Sequence, residues 1–201
     1  MMKTNQRDLE NLQFIRETME RSSTVTSVSG IGVMAMGAIA LIGAYLAPLQ
    51  SREETWVYIW LAIAVLGCIT GFASTWHQSR TQGPATRLSA LRRFGLALAP
   101  PIIAACVLTD IFLRNGQFEL MPGTWMLLYG AGVVTAGAFS IGLIPVMGLV
   151  FMLLGTIGLY FADAWDVPVW QHLATMDFYL GAVFGGIHLC FGAIIAVKCN
   201  S

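Results

Sequence analysis

The stretch that decides the fold runs from Leu120 to Ala162: LMPGTWMLLYGAGVVTAGAFSIGLIPVMGLVFMLLGTIGLYFA. It contains no charged residue and no histidine. A bilayer core about 30 Å thick is crossed by about 20 apolar residues in a helix. The stretch is too long for one crossing and suits two. The break falls near Ser140-Ile141-Gly142, just ahead of Pro145, because proline is tolerated in the first turn of a helix. The spacing predicts spans over 122–140 and 143–162.

Four further apolar runs flank this pair, at 28–49, 55–75, 94–113 and 176–197. The whole chain agrees with that pattern. Its 201 residues are 56% hydrophobic and only 11% charged, with a mean hydropathy of +0.69. A soluble domain carries about twice that share of charge. The expected fold is therefore all-α: a polytopic integral membrane bundle of six helices over 25–201, preceded by an amphipathic helix and linker over 1–24. Leu9, Leu12, Ile15 and Met19 give that N-terminal helix one apolar stripe, as in a helix lying on a membrane surface or docking to a partner.

Eleven Lys and Arg balance eleven Asp and Glu. A neutral chain lacks the basic face that nucleic acid requires, so no nucleic-acid partner is expected. The charges are nevertheless sorted. Lys3, Arg7, Arg16, Arg21, Arg80, Arg87, Arg92, Arg93 and Lys198 fall on one set of alternate segments, and only Arg52 and Arg114 on the other. The positive-inside rule then puts both termini in the cytoplasm of a bacterial cell, with the chain multi-pass in the inner membrane. The charged first twenty-odd residues lack the apolar core of a cleaved signal peptide. Arg80, Arg87, Arg92 and Arg93 sit in the loop 76–93, broken at Gly83-Pro84, and are expected to contact lipid head groups.

Twenty-one glycines ask for a packing explanation. Helices in lipid associate where small residues let backbones approach. Gly67-x-x-x-Gly71 and the series Gly181, Gly185, Gly192 are expected packing faces, within the chain, in self-association or against other membrane subunits. A layout of three helices mirrored by three permits an inverted repeat.

Ionisable groups inside spans are candidate functional sites. His188 lies in the glycine stripe of the last span. Asp110, Asp177 and Tyr179 lie toward the outer side, where Glu53, Glu54, Glu119, Asp163 and Asp166 also gather. These suggest polar points along a solute or ion path, opening in an acidic vestibule. Asp163-x-x-Asp166 with His172 and Asp177 matches no closed metal motif, so no metal site is expected. The signatures GxSxG, HExxH, CxxC and CxxCH are absent, so no catalytic residue is assigned and the chain is not expected to be an enzyme. Cys68, Cys106, Cys190 and Cys199 read as small apolar residues. No cofactor is expected, with haem ligated by His188 as the one alternative.

Met19-Glu20-Arg21-Ser22-Ser23 leading into SGIGVMAMGAIALIGA, and GGIHLCFGAIIAVK near the C-terminus, resemble parts of a loose group of uncharacterised small six-helix bacterial membrane proteins. The resemblance implies that architecture and no activity. The leading expectation of function is a transporter- or channel-like bundle for a small solute or cation. The alternatives are a non-catalytic structural or regulatory subunit of a larger membrane complex, and a b-type haem electron-transfer protein.

Overall fold

The computed structural model describes residues 28–50, 52–78, 84–138, 142–162 and 169–199. All its elements are helical: α1 Gly30–Leu46, α2 Glu53–Gln78, α3 Pro84–Asn115, α4 Met121–Gly137, α5 Leu143–Tyr160, α6 Val169–Leu180 and α7 Ile187–Cys199. A π-helical segment, Gly181–Gly186, joins α6 to α7 into one rod. The N-terminal amphipathic helix lies outside the described residues.

Local sequence sets most boundaries. Ser29 caps α1 by accepting the Gly32 N–H at 3.2 Å. Pro48 follows in the 3-10 turn Ala47–Leu49, where α1 stops. Glu53 and Glu54 stand in the first turn of α2, where negative charge meets the positive end of the helix dipole. α3 ends in a Schellman motif. Gln117 N–H bonds the Phe112 carbonyl at 2.9 Å, Gly116 N–H reaches Leu113, and Gly116 takes the left-handed φ of 67° that favours glycine.

Among the described residues, five segments are long and apolar enough to cross a membrane: Gly30–Leu49, Glu53–Gln78, Phe94–Asn115, Leu143–Tyr160 and Thr175–Lys198. α4 is the sixth helix, and at 17 residues it is shorter than these. α4 ends at Gly137 and α5 begins at Leu143, and Ser140 and Ile141 of the expected break lie outside the described residues. The basic loop proves much shorter than expected. α2 continues to Gln78 and α3 begins at Pro84, because Pro84 is suited to a first helical turn and Ala85, Leu88, Ala90 and Leu91 are good helix formers. Arg87, Arg92 and Arg93 are thus helical residues of α3, and Arg92 is exposed. Arg80 lies outside the described residues.

Two antiparallel helix pairs hold the bundle, and each is built on glycines seven residues apart. Between α4 and α5, a Cβ on Gly123 would lie 2.8 Å from the Gly155 carbonyl, and one on Gly130 would lie 2.6 Å from that of Gly148. On the other side, a Cβ on Gly30 would lie 2.6 Å from the Gly192 carbonyl, and one on Gly37 would lie 2.8 Å from that of Gly185. No real side chain fits at such distances, so these backbones touch directly. The close partner of α1 is therefore the last rod, whereas that of α4 is α5. A mirrored repeat of three helices would instead match the α1 pair with α3 against α4.

α3 packs on α4 and α1 on α2, while α2 and α3 touch only lightly. Trp56, Met121, Met126, Phe151, Met176, Leu180 and Ile195 fill the centre. Large apolar side chains such as Ile31, Leu41, Leu66, Ile103 and Leu153 remain exposed around the outside, a distribution suited to lipid rather than water.

Gly155→Ala should force α4 and α5 apart and lower stability by about 1–3 kcal/mol, since overpacking a tight interface carries that penalty. Gly67→Ala, whose Cβ meets nothing within 4 Å, should leave the thermal midpoint unchanged. Circular-dichroism melts of both variants in mild detergent check this.

A cavity between α2 and α3 as the candidate functional site

Where α2 and α3 diverge, they leave a cavity of about 180 Å³, closed at the back by α1, α4 and the π-to-α7 junction. Its wall is almost wholly apolar. Leu61, Ile63 and Ala64 of α2 face Pro101, Ile102 and Ala105 of α3, with Met36 and Ala40 of α1 between them. Gly67 belongs to this wall, because a Cβ there would meet open space. Within the chain, Gly67 of the expected Gly67-x-x-x-Gly71 face packs on no neighbouring helix. Only Gly71 meets a neighbouring helix, with the Met36 sulfur 3.2 Å from its would-be Cβ.

Polar groups meet the cavity at two places. At the first, the buried His188 is hydrogen-bonded through both ring nitrogens. Nδ1 lies 2.7 Å from the Phe184 carbonyl, and Nε2 lies 2.7 Å from the Tyr129 hydroxyl. A carbonyl only accepts, so Nδ1 carries hydrogen, and in the neutral ring Nε2 is the acceptor for the Tyr129 O–H. The π segment makes this possible. It ends at Gly186, and its Phe184 carbonyl accepts both the Ile187 N–H and the imidazole. Aromatic rings enclose the imidazole: Phe151 at 5.1 Å in a tilted contact, and Phe184 at 6.2 Å and nearly parallel.

At the second place, Trp125 donates its indole N–H to Thr109 at 2.8 Å, and Thr109 donates to the Ala105 carbonyl at 2.7 Å. Trp125 stacks on Trp56, with centroids 5.9 Å apart. Behind the stack lies Asp177, 1% exposed. Trp56 and Trp60 both donate their indole N–H to its Oδ1, at 2.7 and 2.8 Å. Its Oδ2 has no partner among the described residues.

The four residues expected to mark a path are therefore not brought together. Asp110 stands on the outer surface of α3 in an i,i+4 ion pair with Arg114 at 3.0 Å, both side chains more than half exposed. Asp177 is a core residue that ties α6 to α2, not part of an open vestibule. The Tyr179 hydroxyl donates to the Leu154 carbonyl, and its ring covers Gly158 of α5. Only His188 reaches the cavity. Asp163 and Asp166 lie outside the described residues. Among the described residues, no three His, Cys, Asp or Glu side chains converge.

Both His188 ring nitrogens are engaged, and the cavity is close to the size of an engineered cavity of about 150 Å³ that accepts benzene.

Sequence reasoning passed over Trp56, Trp60, Thr109, Trp125 and Tyr129. One signal was present: Trp56 and Trp60 stand four apart, so two indole donors share a face of an apolar helix and require an acceptor. No family model, curated protein or solved structure matches the chain.

Two outcomes test this geometry. Asp177→Ala leaves two buried indole donors unpaired and should cost about 1–3 kcal/mol per donor. Asp177→Asn keeps an acceptor and should cost less, as read by thermal unfolding of the two variants. Nitrogen NMR of histidine-labelled protein should show one histidine with hydrogen on Nδ1 and a bare Nε2. That signal should change in Tyr129→Phe.

Proposed function

We propose that the protein takes up a small, largely apolar solute from the membrane through the gap between α2 and α3, as the binding site of a small transporter-like bundle. The observation that supports this reading is the cavity itself. It is concave, lined by apolar side chains, and furnished with a few fixed polar groups at the Tyr129–His188 pair and Thr109, the usual make-up of a small-molecule site. The gap faces outward between two helices that touch only lightly, so a solute dissolved in lipid has a direct way in.

A cation path has less to support it. Asp110 is matched by Arg114 at the surface, and the cavity wall carries no carboxylate. The sorting of basic residues onto alternate segments supports a place in the bacterial cytoplasmic membrane with both termini inside.

Gly67→Leu tests the proposal, because its side chain enters the cavity without meeting the backbone. Protein purified in mild detergent should carry a small organic molecule detectable by extraction and mass spectrometry. The Gly67→Leu variant should carry about tenfold less with an unchanged melting profile. Equal contents in the two proteins would refute the proposal. A protein partner that co-purifies with both, with no small molecule, would favour a subunit of a larger membrane complex.

A further inference from the structure

The hydrogen-bond inventory of the cavity wall is lopsided. Among the described residues, every strong donor lining the cavity already has an acceptor within the protein. The Tyr129 hydroxyl proton goes to His188 Nε2, the Thr109 hydroxyl proton to the Ala105 carbonyl, and the Trp125 indole proton to Thr109. The Trp60 indole proton goes to Asp177, and His188 Nδ1 to Phe184. The free thiols Cys68 and Cys106 also line the wall, and a thiol is a weak donor.

Acceptor capacity, by contrast, is left over. The Tyr129 oxygen donates one hydrogen bond and retains a lone pair. Thr109 Oγ1 donates one bond, accepts one from Trp125, and retains the other lone pair. A guest whose polar atom is only an acceptor finds no strong donor to meet it. A guest with a hydroxyl or N–H finds two acceptors.

Resting on the cavity as the solute site, we propose that its occupant is a hydrogen-bond donor: a small neutral alcohol, phenol or N–H compound with one ring or a short chain. Ketones, ethers and esters of the same size are disfavoured. The ranking follows from the cost of burying a polar atom without a partner, and a volume near 180 Å³ sets the size. The positioning group is His188. Its fixed Nε2 accepts the hydrogen bond of the Tyr129 O–H and so leaves that hydroxyl to act only as an acceptor toward a guest. This polarity depends on the π-to-α junction, which presents the Phe184 carbonyl to Nδ1.

Fluorine NMR titration of the whole protein in detergent micelles, referenced to protein-free micelles, tests the idea with single-ring probes: para-fluorophenol, para-fluoroanisole, para-fluoroacetophenone and, matched to the phenol in heavy atoms, para-fluorotoluene. The phenol should bind about tenfold tighter than the anisole and the acetophenone, and Gly67→Leu should abolish its binding. In His188→Phe the Tyr129 proton is released, so the acetophenone should gain affinity relative to the phenol. If that variant does not fold, the ranking on the unmodified protein decides alone. Gly67-sensitive binding with equal affinity for phenol and anisole would overturn the donor preference while leaving the solute site standing. No Gly67-sensitive binding of any probe would overturn the solute site, and this inference with it.

Discussion

Direct backbone contact at glycine is the constraint on which the rest of this bundle depends. Lipid tails are as apolar as leucine, so helices in a bilayer gain little by hiding apolar surface from one another. They must gain by close packing. Here α4 and α5 meet at Gly123, Gly130, Gly148 and Gly155, and α1 meets the last rod at Gly30, Gly37, Gly185 and Gly192. Both pairs bring carbonyls to where a side chain would stand. The remaining helices are arranged around these two rigid units.

That arrangement explains the cavity. α2 is held by α1, and α3 is held by α4, so each belongs to a different unit. Among the described residues, no glycine brings their backbones into direct contact. They diverge, and bulky residues fill only part of the gap. Pro100 and Pro101 within α3 add to this, since each removes a helix hydrogen bond and Pro101 lies on the cavity wall. The two polar clusters then act as pins, Asp177 within the first unit and His188 between the two. Asp177 ties the last rod to α2 through two indoles, and His188 ties it to α4 through Tyr129. The His188 ring is bonded at both nitrogens, and a buried polar group satisfied in this way makes few alternative arrangements acceptable.

The candidate residues fared unequally for physical reasons. His188 was visible because an ionisable group among glycines in an apolar span is rare. Asp110 was visible for the same reason, but Arg114 one turn away accounts for it, and such a pair is exposed and weak. Asp177 looked like part of an outward acidic face because sequence position gives depth along a helix without giving the direction of the side chain. Trp56 and Trp60 supply that direction. Gly67 and Gly71 share a motif and a helix face, yet one meets Met36 and the other meets open space. A spacing rule states what may approach, and the neighbour decides whether anything does.

By itself, the sequence determined the helical class and the approximate helix positions, because long apolar segments must satisfy their backbone hydrogen bonds within each helix. It also determined that glycine would mediate contact. Only the tertiary structure decided which helices pair, that α2 and α3 stand apart, and that Tyr129 and Thr109 line the space between them. These depend on contacts between residues far apart in the chain, such as Tyr129 with His188 and Trp56 with Asp177. No local pattern encodes them, because each side chain is compatible with many partners until the backbones have been brought together.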